Sequence, residues 1–496
     1  MAERRLAAID LGAQSGRVAT GSFDGERVRL DVAHRFPNRP LWLPDGLHWN
    51  IGQLFAELLA GLSETAAGGP LDGVAIDSWG CDYGLLDSAG GLLGLPFHYR
   101  DPARSGQTVL DRALARMSWS ELYERTGIQK MAINTAFQLV AEAGRKRDAA
   151  RLALIPDLLS FWLTGTLTNE LTVASTTGLL RADSPRWADD VIVALGLPRA
   201  PFAHEVVHPG TEIGHILPGH TAAGGAVGTR VLATAGHDTA SAFAAAPRGD
   251  AHAAILSSGT WSLLGVHSPT PRLGSAAEQC NLTNERAFDD SIRLLRNVMG
   301  MWLIEECRRE WGGADYDRLY AEAAVVDSEV PLFDPDDASL LAAGPMVARI
   351  TALCAAAGQP GPTGRAELIR SVLLSLACKY RLLTLRLEQV SGHPIELIQV
   401  VGGGSRNRLL CQLTADVTRR PVAAGPSEAT LLGNVLVQLL ATGDLADVRQ
   451  MREVSAASIE LEHYEPAHDA DGDAIFGRFL EVTGLSTARP MHPSFQ

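Results

Sequence analysis

The sequence predicts an α/β protein of two lobes, and three observations carry that prediction. Residues 6–9 form a short apolar run, residues 12–16 a glycine turn and residues 17–23 a second strand, giving strand, turn, strand. The same order restarts in the second half, where apolar runs at 251–256 and 261–266 flank Ser257-Ser258-Gly259-Thr260. Strand-like runs then alternate with helix-spaced ones along the chain, the pattern of mixed architecture.

A third strand is expected over residues 28–34, and others over 71–76 and 230–235. Helical spacing covers 101–122, 135–148 and 156–163, the last with Pro156 in the tolerated first turn. Pro247-Arg248-Gly249-Asp250 has turn chemistry just ahead of the repeated unit and marks the internal boundary. It divides an N-terminal lobe, 1–246, from a C-terminal lobe, 251–465, followed by a loosely patterned tail, 466–496. In the second lobe residues 358–364 read as a surface loop, 366–390 as a helix, 395–401 as a strand, and Ser405-Arg406-Asn407 as the opening of another helix. The uncharged stretch 429–442 falls short of the roughly 20 residues a spanning helix needs, so it reads as a buried helix.

The 496 residues are 46% hydrophobic and 20% charged, which fits a globular chain of two or three domains. A net charge of −14 repels phosphate backbones and anionic lipid, so nucleic acid and membrane surfaces are not expected as partners. Cys81, Cys280, Cys307, Cys354, Cys378 and Cys411 are scattered, with no C-x-x-C pair, and are expected as reduced thiols. Asp10 interrupts the N-terminal apolar run too early for a signal peptide, so a cytoplasmic protein is expected.

Several segments could carry chemistry. Asp10-Leu11-Gly12-Ala13-Gln14-Ser15-Gly16-Arg17 puts a carboxylate at a strand end before a turn whose N–H groups can cradle a phosphate. A plain hairpin with an Asp starting its turn explains the same residues equally well. Ser257 to Thr260 offers a second such turn, and pairing of the two favours a phosphate chain gripped from both sides. Gly402-Gly403-Gly404 between strand and helix would let a ligand lie against backbone, or simply be a flexible turn. Asp238 in Gly236-His237-Asp238-Thr239 and the Asp77-Ser78-Trp79-Gly80-Cys81-Asp82 segment both follow expected strands, where open α/β sheets bind ligands. Asp238 could also be a helix cap and Trp79 a core residue or a sugar platform; Ser427 and Glu428 read best as helix-start residues. Only three lysines are present and none follows a glycine, so the G-x-x-x-x-G-K-[ST] loop is excluded, and the D-F-G and V-A-I-K elements of protein kinases are missing.

Taken together, residues 10–17, 77–82, 236–242, 256–261, 296–302 and 400–416 resemble, in order and spacing, the FGGY family of carbohydrate kinases, nearly from end to end. The resemblance implies an actin-like ATPase (ribonuclease H-like) fold of two lobes around a cleft, the first lobe binding sugar and the second nucleotide. It implies ATP and Mg²⁺, with Ala13, Gln14, Ser15, Gly16, Arg17 and Thr260 at the phosphates, Gly403 at the adenosine and Asp10 at the magnesium. Glu305, where relatives usually carry Gln, is associated with the nucleotide, and Gln14 stands where Ser is common. Gly80, His237, Asp238, Thr239 and Asn297 would line a ketose, with Asp238 as the base for its 1-hydroxyl, in a monomer or homodimer. A sister kinase for another ketose, or an actin-like filament protein that keeps the turns without a sugar base, are the alternatives. A sugar-sensing regulator is disfavoured because no basic helix-turn-helix precedes Asp10.

Overall fold

The computed structural model describes residues 3–142, 144, 148–249, 251–327, 329–468 and 471–487. Its frame is two large sheets. The first contains β1 (Arg4–Leu11), β2 (Ser15–Phe23), β3 (Val28–Pro37), β4 (Gly73–Ser78), β5 (Glu212–His215) and β6 (Arg230–Leu232), in the order β5-β6-β4-β1-β2-β3. The second contains β7 (Ala253–Ser258), β8 (Trp261–Ser268), β9 (Thr283–Arg286), β10 (Ile292–Met299), β11 (Leu397–Val401), β12 (Val422–Ala424) and β13 (Glu462–Tyr464), in the order β9-β10-β8-β7-β11-β12-β13. With β9 set aside, the two sheets share one pattern of strand directions, although the edge strand β5 precedes its neighbour β6 in the chain and β13 follows its neighbour β12. Each begins with an antiparallel meander, β1-β2-β3 or β7-β8-β10, continues through two parallel neighbours, β4-β6 or β11-β12, and ends on an antiparallel edge strand. The restart read from the sequence is a duplicated fold.

Central strands such as β1 and β7 read as continuous apolar runs because both of their faces are covered: Leu6 to Ile9 and Ala253 to Leu256 are all buried. The expected strand starts and ends either coincide with those observed or differ by two or three residues. The helix expected over 101–122 is broken. Gln107–Leu114 and Trp119–Thr126 are separate helices, because Ser118 caps the second one with Glu121 completing the reciprocal bond. The helix expected over 135–148 ends at Ala141, and residues 143 and 145–147 of that expectation lie outside the described residues. Asp250 of the boundary turn does too. The segment after residue 465 holds a helix, Gly472–Thr483, whose Phe476 and Phe479 enter the second core, so its apolar spacing is stronger than the sequence reading allowed.

Two helices join the halves. Asp238–Ala244 follows β6, and Ala429–Ala441 follows β12 in the equivalent position of the second half. The second helix lies on the first sheet: Gln438 donates to the Ala7 carbonyl at 3.0 Å and Asn434 donates to Asp77 at 2.6 Å. Their apolar residues, among them Ala240, Phe243, Leu432 and Leu436, form one core with strands of both sheets. The helices cross at backbone contact, since a Cβ on Gly433 would run into the carbonyl group of Ser241.

That crossing gives a first prediction. Gly433→Ala should lower stability by about 1–3 kcal/mol in urea unfolding, because the obstacle is main chain and cannot swing aside. Gly52→Ala, in the helix Ile51–Ala67 with open space around it, should leave stability unchanged or raise it by up to about 1 kcal/mol. Equal effects of the two substitutions would reject the close crossing.

Candidate active site

Between the sheets lies a cavity of about 300 Å³. Its walls include both glycine turns, Gly12 to Ser15 from the first hairpin and Ser257 to Thr260 from the second. The two readings of each turn are therefore compatible: each is a hairpin, and each borders the same space. Of the expected site residues, Asp10, Ala13, Gln14, Ser15, Arg17, Gly80, His237, Asp238, Thr239, Thr260, Asn297 and Gly403 line the cavity. Gly16 does not. It packs under the turn, where any side chain would strike the Phe36 ring. Glu305 is also set apart, on the helix Trp302–Glu310, with its carboxylate bound to Arg308 at 2.9 Å and accepting a hydrogen bond from the Tyr316 hydroxyl.

The glycines divide their work. Gly402 has a φ of +81° and Gly404 presses on the Ser258 side chain, so both seat the end of β11 against β7, whereas Gly403 has nothing within 4 Å and leaves bare backbone toward the cavity. Gly80 makes a comparable close approach, 2.8 Å from a would-be Cβ to Thr176 Oγ1. Trp79 packs against Trp49 with ring centroids 4.0 Å apart and donates to Asp82 at 3.0 Å, yet one edge borders the cavity. Asp82 accepts four hydrogen bonds, from Trp49, Trp79, Tyr99 and Gln138. Burial still outweighs them and raises its carboxyl to about 7.

Carboxylates gather on the floor of the cleft. Asp10 and Asp77 are paired in register on the parallel strands β1 and β4. Burial, as the largest cause, lifts Asp10 to about 6; Arg17, 3.6 Å away, opposes that, while Asp238 and Glu428 add to it. Asp77 is fully buried and driven well above the usual carboxylate range by burial first and Asp10 second; its Oδ1 has no partner. Asp238 opens the helix Asp238–Ala244. The cap position is His237, which makes no side-chain capping bond, so the cap reading of Asp238 is corrected: one of its oxygens accepts from the amide and hydroxyl of the adjacent Thr239, and its side chain, 31% exposed, faces the cavity.

The helix-start reading of Glu428 is corrected. Glu428 occupies the N-cap position of Ala429–Ala441 but makes no capping bond; it pairs with Arg17, with Arg35 at 2.8 Å and with Arg406 at 3.6 Å. Ser427 likewise accepts from Arg406 at 2.9 Å. Three more residues escaped the sequence reading. Gln129 accepts from the Asn297 amide at 2.8 Å and so ties the first lobe to β10. Glu285 and Arg293, opposite each other on β9 and β10, meet His237. Nothing in their local sequence marks them, because each gains its neighbours only through the tertiary fold.

A duplicated sheet with two turns facing across a carboxylate-floored cleft defines a phosphotransferase of the actin-like ATPase fold. Solved structures of the same shape are carbohydrate and polyol kinases: gluconate kinase from Lactobacillus acidophilus, with a TM-score of 0.80 at 15% identity and 99% of both chains covered, and Plasmodium falciparum glycerol kinase with ADP, with a TM-score of 0.76 at 15% identity, covering 97% of this chain and 99% of that one. The N-terminal domain profile of the FGGY family of carbohydrate kinases matches residues 7–244 and the C-terminal domain profile residues 254–442. Among similar proteins are rhamnulokinases of Bacteroides thetaiotaomicron, 40% identical over 95% of this chain and 98% of that one, and of Klebsiella pneumoniae, 40% identical over 95% and 96%. The chain belongs to the FGGY family of carbohydrate kinases, and it is a sugar-phosphorylating enzyme that uses ATP.

The elevated Asp10 carboxyl has a consequence for stability. A carboxyl whose folded value is about 6 against an ordinary 3.8 favours folding most below pH ~4, and this contribution is lost as pH rises through 6. Asp10→Asn should therefore make the ligand-free protein more stable than wild type at pH 7.5 by about 1–3 kcal/mol, with the gap closing toward pH ~4. Urea unfolding across that range checks it; a gap that does not change with pH would reject it.

Proposed function

We propose that this chain transfers the γ-phosphoryl group of ATP to the 1-hydroxyl of L-rhamnulose. The substrate is supported by the rhamnulokinases among its relatives, 37–40% identical over 95–98% of this chain. Asp238 carries the chemical reading: its side chain borders the same cavity as both glycine turns, with one oxygen held by Thr239. The other oxygen would accept the hydroxyl proton as the sugar oxygen bonds to phosphorus and the bond to the ADP oxygen breaks. General-base help of this kind is worth about 10²- to 10⁴-fold. The rest of the acceleration comes from positioning and from donors aimed at the transferring phosphoryl group.

In this reading the turn amides of Ala13, Gln14, Ser15 and Thr260 and the Arg17 guanidinium face the phosphates, and Gly403 lies beneath the adenosine. Gly16 serves by packing the first turn. Gly80, His237, Thr239 and Asn297 line the sugar. A magnesium ion fits the floor. Two buried carboxylates stand together, an oxygen of Asp77 has no partner, and among the described residues no group of three His, Cys, Asp or Glu side chains could hold a metal alone. That suits a cation which takes one or two carboxylates and completes its shell with phosphate and water. Asp10 and Asp77 would hold it, and when bound it supplies neutralisation of phosphate charge.

The proposed lobes are 1–246 and 251–465, with 466–496 appended. No helix among the described residues is long and apolar enough to cross a membrane, and the six cysteines are unpaired. We place the enzyme in the cytoplasm, as a monomer or homodimer.

A coupled ADP-release assay with L-rhamnulose, L-fuculose and L-xylulose should give the highest kcat/KM for L-rhamnulose; a clear preference for another ketose would replace the substrate. Asp238→Asn should lower turnover about 10²- to 10⁴-fold with nucleotide binding retained by calorimetry. Near-native turnover would remove Asp238 as the base.

A further inference from the structure

The stretch from Tyr123 to Lys130 is fastened to the second sheet several times over. The Tyr123 hydroxyl donates to the Leu282 carbonyl at 2.9 Å, the Asn284 amide donates to the Gly127 carbonyl at 2.8 Å, and the Asn281 side chain bonds both main-chain groups of Lys130, at 2.8 and 3.3 Å. Gln129, 3% exposed, adds a tie of another kind. Strand β9 pairs with β10 only as far as Leu295, and just past its end the Gln129 side chain takes the place of a neighbouring strand. Its Oε1 accepts from the Asn297 amide at 2.8 Å and its Nε2 donates to the Asn297 carbonyl at 3.2 Å. The same Oε1 accepts from Asn297 Nδ2 at 3.2 Å. Of these ties, only this one reaches a residue lining the cavity, Asn297.

We propose that Gln129 is a positioning residue for the ketose: it fixes Asn297 so that the Asn297 side-chain oxygen is presented to the cavity as an acceptor for a sugar hydroxyl. The inference rests on the reading of Asn297 as a sugar-lining residue and deepens it. A backbone N–H can only donate and a carbonyl can only accept, so the Gln129 amide fits one way round. With Oε1 fixed as an acceptor, the Asn297 side-chain atom facing it must be the nitrogen, and the oxygen is the end left to a ligand. A free asparagine would turn its amide over to suit whichever partner came, and would present donor and acceptor alike. Holding it saves the cost of ordering the side chain when sugar binds, and it refuses at that point a group that can only accept. Fastening alone does not account for Gln129, because Asn281 and Asn284 already hold the residues on either side of it. Gln129 comes from the first half of the chain and Asn297 from the second sheet, so the acceptor is set only while the halves are together.

The test is a double-mutant cycle in the full-length enzyme, with L-rhamnulose and ATP as substrates. Gln129→Met keeps the length of the side chain and removes its bonds to Asn297; kcat/KM for the ketose should fall about 5- to 100-fold, through KM, while KM for ATP is unchanged. In an Asn297→Ala background the same substitution should change ketose kcat/KM by less than about twofold, because no side-chain amide is left to hold. A tie that only supports the fold predicts the same loss in both backgrounds. That result would overturn the proposal, as would native-like ketose kinetics in Gln129→Met. Asn281→Gly is the control: it breaks the neighbouring tie, suits the φ of +51° at that position, and should keep native ketose kinetics even where urea unfolding shows lower stability. A loss of ketose kcat/KM equal to that of Gln129→Met would make the whole seam responsible and reject the positioning role. Gln129→Asn, one methylene too short to span both main-chain groups, carries the same expectation if Gln129→Met does not fold. Asn297→Ala alone separates the two levels. If it raises ketose KM while Gln129→Met is native-like, only the positioning role fails. If it leaves ketose KM native, the sugar-lining reading of Asn297 fails, and the proposal with it.

Discussion

The approach of Gly433 to the carbonyl of Ser241 sets how the two halves of the molecule face each other. Two helices in equivalent places, Asp238–Ala244 and Ala429–Ala441, meet there with no side chain between their backbones. The contact orients each hairpin turn with respect to the other, because each helix follows a strand of its own sheet while the later one also lies on the first sheet through Asn434 and Gln438. A wider crossing would separate the turns and open the cavity they share. The apolar core around this crossing draws on both sheets, so lobe orientation and stability are the same packing problem.

On that frame the dominant electrostatic fact is negative charge held out of water. Asp10, Asp77 and Asp238 repel one another, and burial makes ionisation of the first two costly. Arg17 offsets part of this, yet it is shared with Glu428 on the other side of the cleft. A floor arranged this way is under strain until positive charge arrives, which is what a cation bound to nucleotide phosphates brings. Functional sites commonly sit where pKa values are displaced in this manner. Asp82 shows the contrast: it too is buried, but four donors satisfy it and it builds the wall that carries Trp79 instead of the floor.

The parts legible in the sequence were those written in local pattern. Apolar strands, glycine turns and the uncharged run that became Ala429–Ala441 were plain, because central strands and buried helices must be apolar whatever surrounds them. The break in the helix expected over 101–122 was missed because Ser118 and Glu121 form a capping box inside an otherwise helical spacing. Strand β9, Thr-Asn-Glu-Arg, is harder still: three of its four polar residues are buried, the opposite of what polarity suggests. Its Glu285 is tolerated inside only because Arg293 and His237 are delivered by the fold. Asp77 was visible at a strand end, whereas its donor, Asn434, is 357 residues away. Side chains whose roles depend on such distant partners leave no mark in a single sequence.

Duplication also explains why the chemistry is one-sided. Asp10 and Asp77 pair in register at the ends of β1 and β4, and at the corresponding ends of β7 and β11 the paired residues are Ser257 and Val401. The helix after β6 begins with His237 and Asp238 at the cavity, while the helix after β12 begins with Glu428, an acid tied to Arg17 and Arg35. The repeated frame offers two equivalent sets of positions, yet acid is free to face a small ligand in only one of them. The second set supplies hydroxyls, open backbone at Gly403 and the arginine-bound Glu428, which suits a surface that grips a polyanion from beyond without adding to its repulsion. One half can therefore take a proton while the other steadies the group being transferred, and a twofold architecture yields a site with a direction.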